Sequence, residues 1–468
     1  MAHDIIKLIY NRSPYNIKVL FTSLYGLQKR YKSYGKYYFE QIQFLNESQY
    51  WSLEKLAAYQ NQRMREFVKD ILLKVPFYKD NPDYSNLRKN FSDIRDFPIL
   101  SKKLVKNKLK EFYNLDQKKV IWSKTSGTTG SPIFFPITRE TMQKEYAYWN
   151  MAYNWNGVCL HCREKIAMIA GHPVAWHGRT KPPFWTFDLV NNRLYFSSYH
   201  ISEFNLKFYI KKLEEFNPIL LHGYPSSIYL LALAYQKHGM KKLNLKAIYT
   251  SAETLLDFQR NKIESVFQAK VFNYYGTSEP TSHIIECEKN ELHLKAESSF
   301  VEILNNDNQP CKPGETGRIV TTNFNSTAFP LIRYDVGDLV TISKSQVSKC
   351  GRSGLLIDNI EGRTEDYIIT PDGRIVGRLD HLFKDDLDVI EAQVEQRRIE
   401  EVILRIVRGI NYSKKDEIFI LKAARTRLGN SMKVTFEYVD EIPRTSSGKF
   451  RFIVSKIDPS NIKVFTNS

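Results

Sequence analysis

No stretch of this 468-residue chain approaches the ~18 consecutive apolar residues that a membrane-spanning helix requires. The opening MAHDIIKLIY is interrupted by Asp4 and Lys7, so a signal peptide is not expected. Cysteine is scarce. The five present are odd in number and scattered, which suits a reducing compartment better than a disulfide framework. A cytoplasmic location is the expectation. Acidic residues are also in deficit, 51 against 68 lysines and arginines, leaving a net charge of +17. Such an excess can serve nucleic acid, an anionic membrane surface or phosphorylated small molecules. Here the basic residues are spread along the whole chain, with no basic tail, arginine-rich block, zinc-finger spacing or RNA-binding signature, so no nucleic-acid partner is expected. Internal repeats, low-complexity linkers and the G-x-x-x-x-G-K-[ST] of a P-loop kinase are likewise absent.

What remains is a globular composition, 42% hydrophobic and 25% charged. Residues 1–40 are basic and tyrosine-rich, as in YGLQKRYKSYGKYY, and suit a lead that packs against the main body. In WSLEKLAAYQNQRMREFVKDILLKVPF, Leu53, Leu56, Met64, Phe67, Val68, Ile71 and Leu72 recur at helical spacing, and Pro76 ends the run. From about 100, strand patterns (EKIAMIAG, PILLHGYP, LKAIYTSAE, AKVFNYYG) alternate with helical ones (EFNLKFYIKKLEEFN, SSIYLLALAYQKHG). That alternation predicts an α/β domain with layered helices and a largely parallel sheet, whose ligands bind beyond the carboxyl ends of the strands. After 290 short strands and turns take over, with a hairpin expected at Asp372-Gly373, and the last hundred residues read as a small α+β unit. The expected division is a helical lead over 1–100, a large domain over 101–362 and a small C-terminal domain over 363–468.

Five stretches carry chemistry-bearing residues. SKTSGTTGSP (123–132) sets hydroxyls and glycines in a turn whose N–H groups could cradle an anion. YYGTSE (274–279) ends a strand with an aromatic, a glycine, hydroxyls and a carboxylate. RYDVGD (333–338) places two carboxylates around a glycine, EGRTED (361–366) sets an arginine between domains, and PRTSSGK (443–449) presents a lysine after a loop. Taken singly, each is better explained by a surface turn, a strand end, a linker or an exposed loop.

Their order is what resembles the adenylate-forming superfamily of acyl-CoA synthetases, luciferases and peptide-synthetase adenylation domains. Within it, LYGLQKRYKSYG, VPFYKD, GYPSSIYLLA, FPLIRYDVGD and TPDGRIVGRLDHLFK look like the phenylacetate–coenzyme A ligase branch. They look especially like its CapK-like members linked to capsular polysaccharide biosynthesis. The resemblance implies a large N-terminal domain with a small mobile C-terminal one, ATP and Mg²⁺ as cofactors, and an acyl-adenylate made with release of pyrophosphate. By motif, Thr125, Ser126, Gly127, Thr128, Thr129 and Gly130 would cradle the β- and γ-phosphates. Tyr275 would stack on adenine beside Gly276 and Thr277, and Glu279 would hold Mg²⁺. Asp338 would accept from the ribose hydroxyls with Arg363 nearby, and Lys449 would bridge the substrate carboxylate and the α-phosphate. Glu365 marks the hinge, where relatives often carry Asp. The family's adenine-side Ser-Gly-Ala is replaced here by TSAE, Thr250 to Glu253.

For the acid, His172, Trp176, Tyr224 and Ala252 are the pocket residues expected from the loops AGHPVAW, HGYPSS and TSAE. Some relatives bind structural Zn²⁺ through a Cys, a nearby His and a later C-x-C-G. Cys287, His293 and Cys350 stand at matching places, with Ser348 in place of one cysteine and Cys311 as a substitute ligand. Cys159 and Cys162 form a C-x-x-C with no second pair, which reads as ordinary thiols. The leading function is carboxylate activation for cell-surface polysaccharide assembly, with acyl transfer to a thiol such as CoA, an amine or a hydroxyl, and peripheral association with the inner membrane face. An aryl-CoA ligase of aromatic acid metabolism and a catalytically inactive binding protein are the alternatives. Intact Lys449, Glu279 and Asp338 argue against the last.

Overall fold

A serine starts the longest helix. The side chain of Ser52 accepts the Lys55 amide at 3.2 Å, and the helix Leu53–Lys74 then buries Leu56, Met64, Phe67, Val68, Ile71 and Leu72 on one face. It ends where predicted, one residue before Val75-Pro76, although Pro76 goes on to open a single further turn, Pro76–Lys79. Named in chain order, the longer helices are α1 (Tyr15–Ser33), α2 (Lys36–Ser48), α3 (Leu53–Lys74), α4 (Arg139–Asn154), α5 (Glu203–Phe216), α6 (Pro225–His238), α7 (Asp257–Phe267) and α8 (Lys414–Leu428). This computed structural model describes residues 10, 12–89, 91–124, 133–171, 174–175, 179–253, 255, 257–305, 307–360, 368–372, 375–376, 379–383, 387–440, 442 and 453–457.

After the hairpin β1 (Val120–Lys124) and β2 (Phe134–Thr138), the strand–helix alternation builds a parallel run. Its strands are β3 (Ile166–Ala170), β5 (Arg193–Ser197), β6 (Leu220–Gly223), β7 (Ala247–Ser251) and β8 (Val271–Gly276), with β4 (Trp185–Asp188) antiparallel at the edge. Helices α5, α6 and α7 cover one face and bury Leu206, Tyr209, Leu213, Leu231 and Ile263 against Ile169, Leu221 and Ile248. On the other face α2 and α4 bring Tyr38, Leu45, Ala147, Tyr148 and Met151 against Leu220, Tyr249, Phe272 and Tyr274. Strands buried on both faces read as near-continuous apolar runs, which is why ILL and AIY were recognisable.

The change of texture after 290 does not start a new sheet. β9 (His283–Glu286), β10 (Leu292–Leu294), β11 (Ser299–Leu304), β12 (Thr316–Asn323), β13 (Tyr334–Ile342) and β14 (Leu355–Ile360) continue the same one antiparallel. The full order is β11-β12-β13-β14-β10-β9-β8-β7-β6-β3-β5-β4. α3 and the segment after it close over the antiparallel half through Phe67, Tyr78, Phe97 and Phe112. The expected hairpin forms between β15 (Ile368–Ile369) and β16 (Ile375–Val376). A further sheet of β17 (Val389–Arg398), β18 (Glu401–Arg408), β19 (Lys433–Tyr438) and β20 (Ile453–Ser455), ordered β19-β18-β17-β20, packs on α8 around its own core of Leu382, Val394, Leu404 and Ile420.

Candidate functional site

Three neighbouring parallel strands end in residues singled out from the sequence. β6 runs out through Gly223 into Tyr224, β7 through Ser251 into Ala252, and β8 through Tyr275 into Gly276. Gly223 is required there, because a Cβ would overlap the carbonyl oxygen of Ile169. That approach lets the Tyr224 amide donate to the same oxygen at 3.1 Å, after which Pro225 opens α6 at its first position. Ala252 sits at φ +70°, in the left-handed region an alanine rarely adopts. Strain of that kind gathers at binding loops, and it falls where TSAE departs from the family pattern.

Those of the expected nucleotide residues that the structure describes come together across the sheet. The Tyr275 hydroxyl donates to Asp338 Oδ2 at 2.8 Å, joining the end of β8 to β13 over 63 residues of sequence. The Tyr334 hydroxyl at the start of β13 donates to Glu279 Oε1 at 3.4 Å, so one strand holds both carboxylates, each more than nine-tenths buried. The hydroxyl of Thr277 turns inward to the Glu279 carbonyl and to Thr281. Thr321 and Asn323, at the end of β12, both donate to the Thr281 carbonyl, at 3.0 and 3.3 Å. Arg333 fixes the entry of β13 from a left-handed backbone, φ +52°, with a two-pronged pair to Glu302 at 2.8 and 2.9 Å. The loop residues Thr125, Ser126, Gly127, Thr128, Thr129 and Gly130, the pocket residues His172 and Trp176, and Arg363, Glu365 and Lys449 lie outside the described residues.

Sequence reading missed the network behind these strand ends. His222 accepts from or donates to Tyr153 at 2.8 Å and Ser251 at 3.0 Å, linking α4, β6 and β7. The Trp149 ring stacks on Tyr274 at 3.6 Å between centroids, directly behind Tyr275. His222 stood inside a quoted motif. Trp149 lies in an ordinary helical pattern, and only tertiary packing reveals its role.

Cys287, Glu291, His293 and Cys350 each offer a ligand atom, all within 4.8 Å of one another. Cys350 Sγ lies 3.3 Å from His293 Nε2. The expected substitute ligand Cys311 is a correction. Its amide is bonded to Ile303 at the far edge of the sheet, and Glu291 stands with the cluster instead. Ser348 does occupy the missing cysteine's place, its hydroxyl 3.3 Å from both Glu291 Oε2 and Cys350 Sγ. Burial pushes the Cys287 thiol up to about 12 and, helped by Lys295, the His293 imidazole down to about 4. Cys350 lies below an ordinary thiol. Burial opposes this, but hydrogen bonds from Ser348 and Arg352 prevail. Two thiols, an imidazole and a carboxylate fit a four-coordinate structural zinc. Cys159 and Cys162 correct a second expectation: they are bridged, because the turn brings their Cα atoms to 5.3 Å, within bonding reach.

A family model described as the CapK C-terminal domain matches residues 368–456. Over 462 residues the chain is 29% identical to protein CapK of Staphylococcus aureus, covering 97% of this chain and all of that one. It is 24% identical over 447 residues to phenylacetate-coenzyme A ligase of Thermus thermophilus, covering 86% of this chain and 96% of the relative. Its fold is similar to that of 2-hydroxyisobutyryl-CoA ligase solved with 2-HIB-AMP and CoA. The TM-score is 0.55 at 18% identity, over 87% of this chain and 91% of that one. The chain is thus CapK-like and phenylacetate–coenzyme A ligase-like, with the layered α/β fold of the adenylate-forming ligases, and two of these relatives, the phenylacetate-coenzyme A and 2-hydroxyisobutyryl-CoA ligases, are ligases by name.

Proposed function

We propose that this CapK-like chain is an ATP-dependent, carboxylate-activating enzyme that forms an acyl-adenylate and serves cell-surface polysaccharide assembly. The observation that carries the reading is the Tyr275–Asp338 pair at the carboxyl ends of the parallel strands, with buried Glu279 tied to the same strand by Tyr334. An aromatic face beside a fixed carboxylate suits a nucleoside: the ring stacks on the base and the carboxylate accepts from ribose hydroxyls. One oxygen of the acid attacks the α-phosphorus of ATP. The new bond is acyl-O–P, the bond to the β-phosphate oxygen breaks, and pyrophosphate leaves. Positioning and charge stabilisation dominate such a step. Thr125 to Gly130 would hold the departing phosphates, and Lys449 would meet the charge growing between the carboxylate and the α-phosphate. Glu279 is a hard oxygen donor suited to Mg²⁺, which would neutralise phosphate charge. The residues after 362 would move as a small domain between half-reactions, about a hinge at Glu365.

The name of the relative CapK and the +17 charge support a surface-polysaccharide role, because anionic lipids attract lysines at about 1 kcal/mol each. The acceptor is then a sugar amine or hydroxyl, or the acid is itself a sugar carboxylate passed to an amine. A second reading, thioester formation with CoA, is supported by the likeness to phenylacetate-coenzyme A ligase. The test supplies ATP, Mg²⁺ and an activated acid, then offers CoA and an aminosugar nucleotide in separate reactions. Acylated sugar is the expected product, and efficient thioester formation with no sugar product would overturn the polysaccharide reading in favour of a CoA ligase.

A further inference from the structure

Beneath the strand ends, on the α4 side of the sheet, lies a cavity of about 260 Å³. Its walls come from α1, α4, β3, β5 and β6, and Trp149 and His222 connect it to the nucleotide residues. His222 bonds to Ser251, the neighbour of Ala252, and stands two residues before Tyr224, so the cavity adjoins the strand ends that carry these two expected acyl-pocket residues. Ligand pockets usually span roughly 300–1,000 Å³, so this one suits an acid of a few carbons and not a long acyl chain.

Its lining is cationic. Lys29 and Arg30 reach it from α1 and Arg193 from the start of β5, against the single carboxylate Glu145, which is already engaged by His283 at 3.3 Å. Arg30 is held at the rim, donating to the His161 carbonyl at 3.0 Å. Arg193 is 7% exposed and donates to one carbonyl, Leu160 at 2.9 Å; no carboxylate among the described residues pairs with it. Lys29 also lacks a carboxylate partner among them, its ammonium lying 5.5 Å from the Tyr146 ring centroid. Gly26 makes this placement feasible, since a Cβ there would overlap the Asp188 carboxylate and lift α1 off β4. The neighbouring phenol senses the same charge. Burial works to raise the Tyr146 hydroxyl's pKa, yet the charge and hydrogen bond of Lys29, a hydrogen bond from Ser33 and then the charge of Arg193 outweigh it and leave that pKa below the ordinary tyrosine value.

A guanidinium taken out of bulk water, with a backbone carbonyl and no carboxylate for a partner among the described residues, is costly unless an anion joins it. A phenyl or alkyl tail in this cavity would leave Arg193 dry and uncompensated, whereas a carboxylate would complete a charge-assisted pair. We infer that Lys29 and Arg193 select an acid substrate carrying a second acidic group: a short dicarboxylic acid whose distal carboxylate sits in this cavity while the other is adenylated. The inference rests on the adenylation reading for its chemistry, but not for its binding.

Two readouts separate the inference from that reading. Pyrophosphate release is followed with succinate, glutarate and 2-hydroxyglutarate, and with butyrate, valerate and phenylacetate as monoacids. Binding of each acid is followed without ATP by the rise in Tm. The wild type should favour the best diacid over a monoacid of equal length by about 10-fold or more in kcat/KM, the scale of one charge-assisted pair. Lys29→Met and Arg193→Met should pull that ratio toward one, whereas the charge-keeping Lys29→Arg should leave it close to the wild-type value. Diacids should raise the Tm of the wild type but not of Lys29→Met. Diacid stabilisation without pyrophosphate release from any acid would keep the pocket and overturn the adenylation reading. A wild-type preference for monoacids, or no diacid stabilisation, would overturn the pocket whatever the enzyme does with ATP.

Discussion

At the scale of single residues, the bond from Tyr275 to Asp338 joins the ring proposed to stack on the base to the carboxylate proposed to accept from ribose. Replacing Tyr275 by Phe keeps the ring and removes one bond to a carboxylate, worth roughly 1.5–3 kcal/mol. The expected result is a fall of about 10- to 100-fold in kcat/KM for ATP, together with a lowered Tm because the buried Asp338 carboxylate loses a donor. Unchanged ATP kinetics would show that the bond orients nothing. Both residues were legible in the sequence because Tyr-Gly-x-Ser-Glu and Gly-Asp are local patterns. Lys29 and Arg193 were not legible. Lys29 sits in the quoted basic lead and Arg193 in an ordinary strand, neither with a role attached, and only the packing of α1 across β4 and β5 brings them to one cavity. Glu291 was hidden for a related reason: it entered the cysteine–histidine cluster through a tight β9–β10 connection, while Cys311 drew notice by residue type alone.

At the scale of elements, the Cys287–Glu291–His293–Cys350 cluster brings together β9–β10 and the segment before β14, and a zinc ion held there would staple them. Purified protein should carry about one zinc per chain, the stoichiometry of a four-ligand structural site. Cys350→Ser should remove it and lower stability by about 3 kcal/mol, the linkage of a ligand held near 100-fold above its Kd. Metal analysis with thermal unfolding reads both, and a metal-free wild type as stable as the variant would contradict the assignment. The C-terminal sheet makes an independent case. Glu395 on β17 is buried and meets Arg397 at 2.9 Å, Arg405 at 2.6 Å and Lys456 at 3.0 Å. Burial alone would raise its pKa, but bonds from Arg397 and Lys456 and the charge of Arg405 hold it at about 2, against the ordinary 4.5. A lowered carboxyl stabilises the fold above pH 4.5 and loses that contribution as pH falls toward 2, up to about 3 kcal/mol. Acid unfolding by circular dichroism should therefore be shallower in Glu395→Gln, and an identical acid limb would refute the coupling. Strands and helices over 160–276 were readable because both-face burial writes apolar runs and the crossovers carry helical spacing. The joining of β9–β14 onto the same sheet was not, since antiparallel pairing at long range leaves no local mark.

At the scale of the whole molecule, the fold brings the proposed nucleotide residues of β8 and β13 together across one sheet, with a cationic cavity on its α4 side. The account stands or falls on whether these parts make one intermediate. Purified protein with Mg²⁺, ATP and a panel of mono- and dicarboxylic acids is quenched and analysed by mass spectrometry for acyl-adenylate, beside Lys449→Ala under the same conditions. The account predicts an acid-dependent acyl-AMP in the wild type, lowered by at least about 100-fold in Lys449→Ala, the scale on which removing one group that stabilises transition-state charge acts, while the variant still binds ATP. Adenylate formed equally well without Lys449, or none from any acid in a folded, ATP-binding wild type, would contradict it.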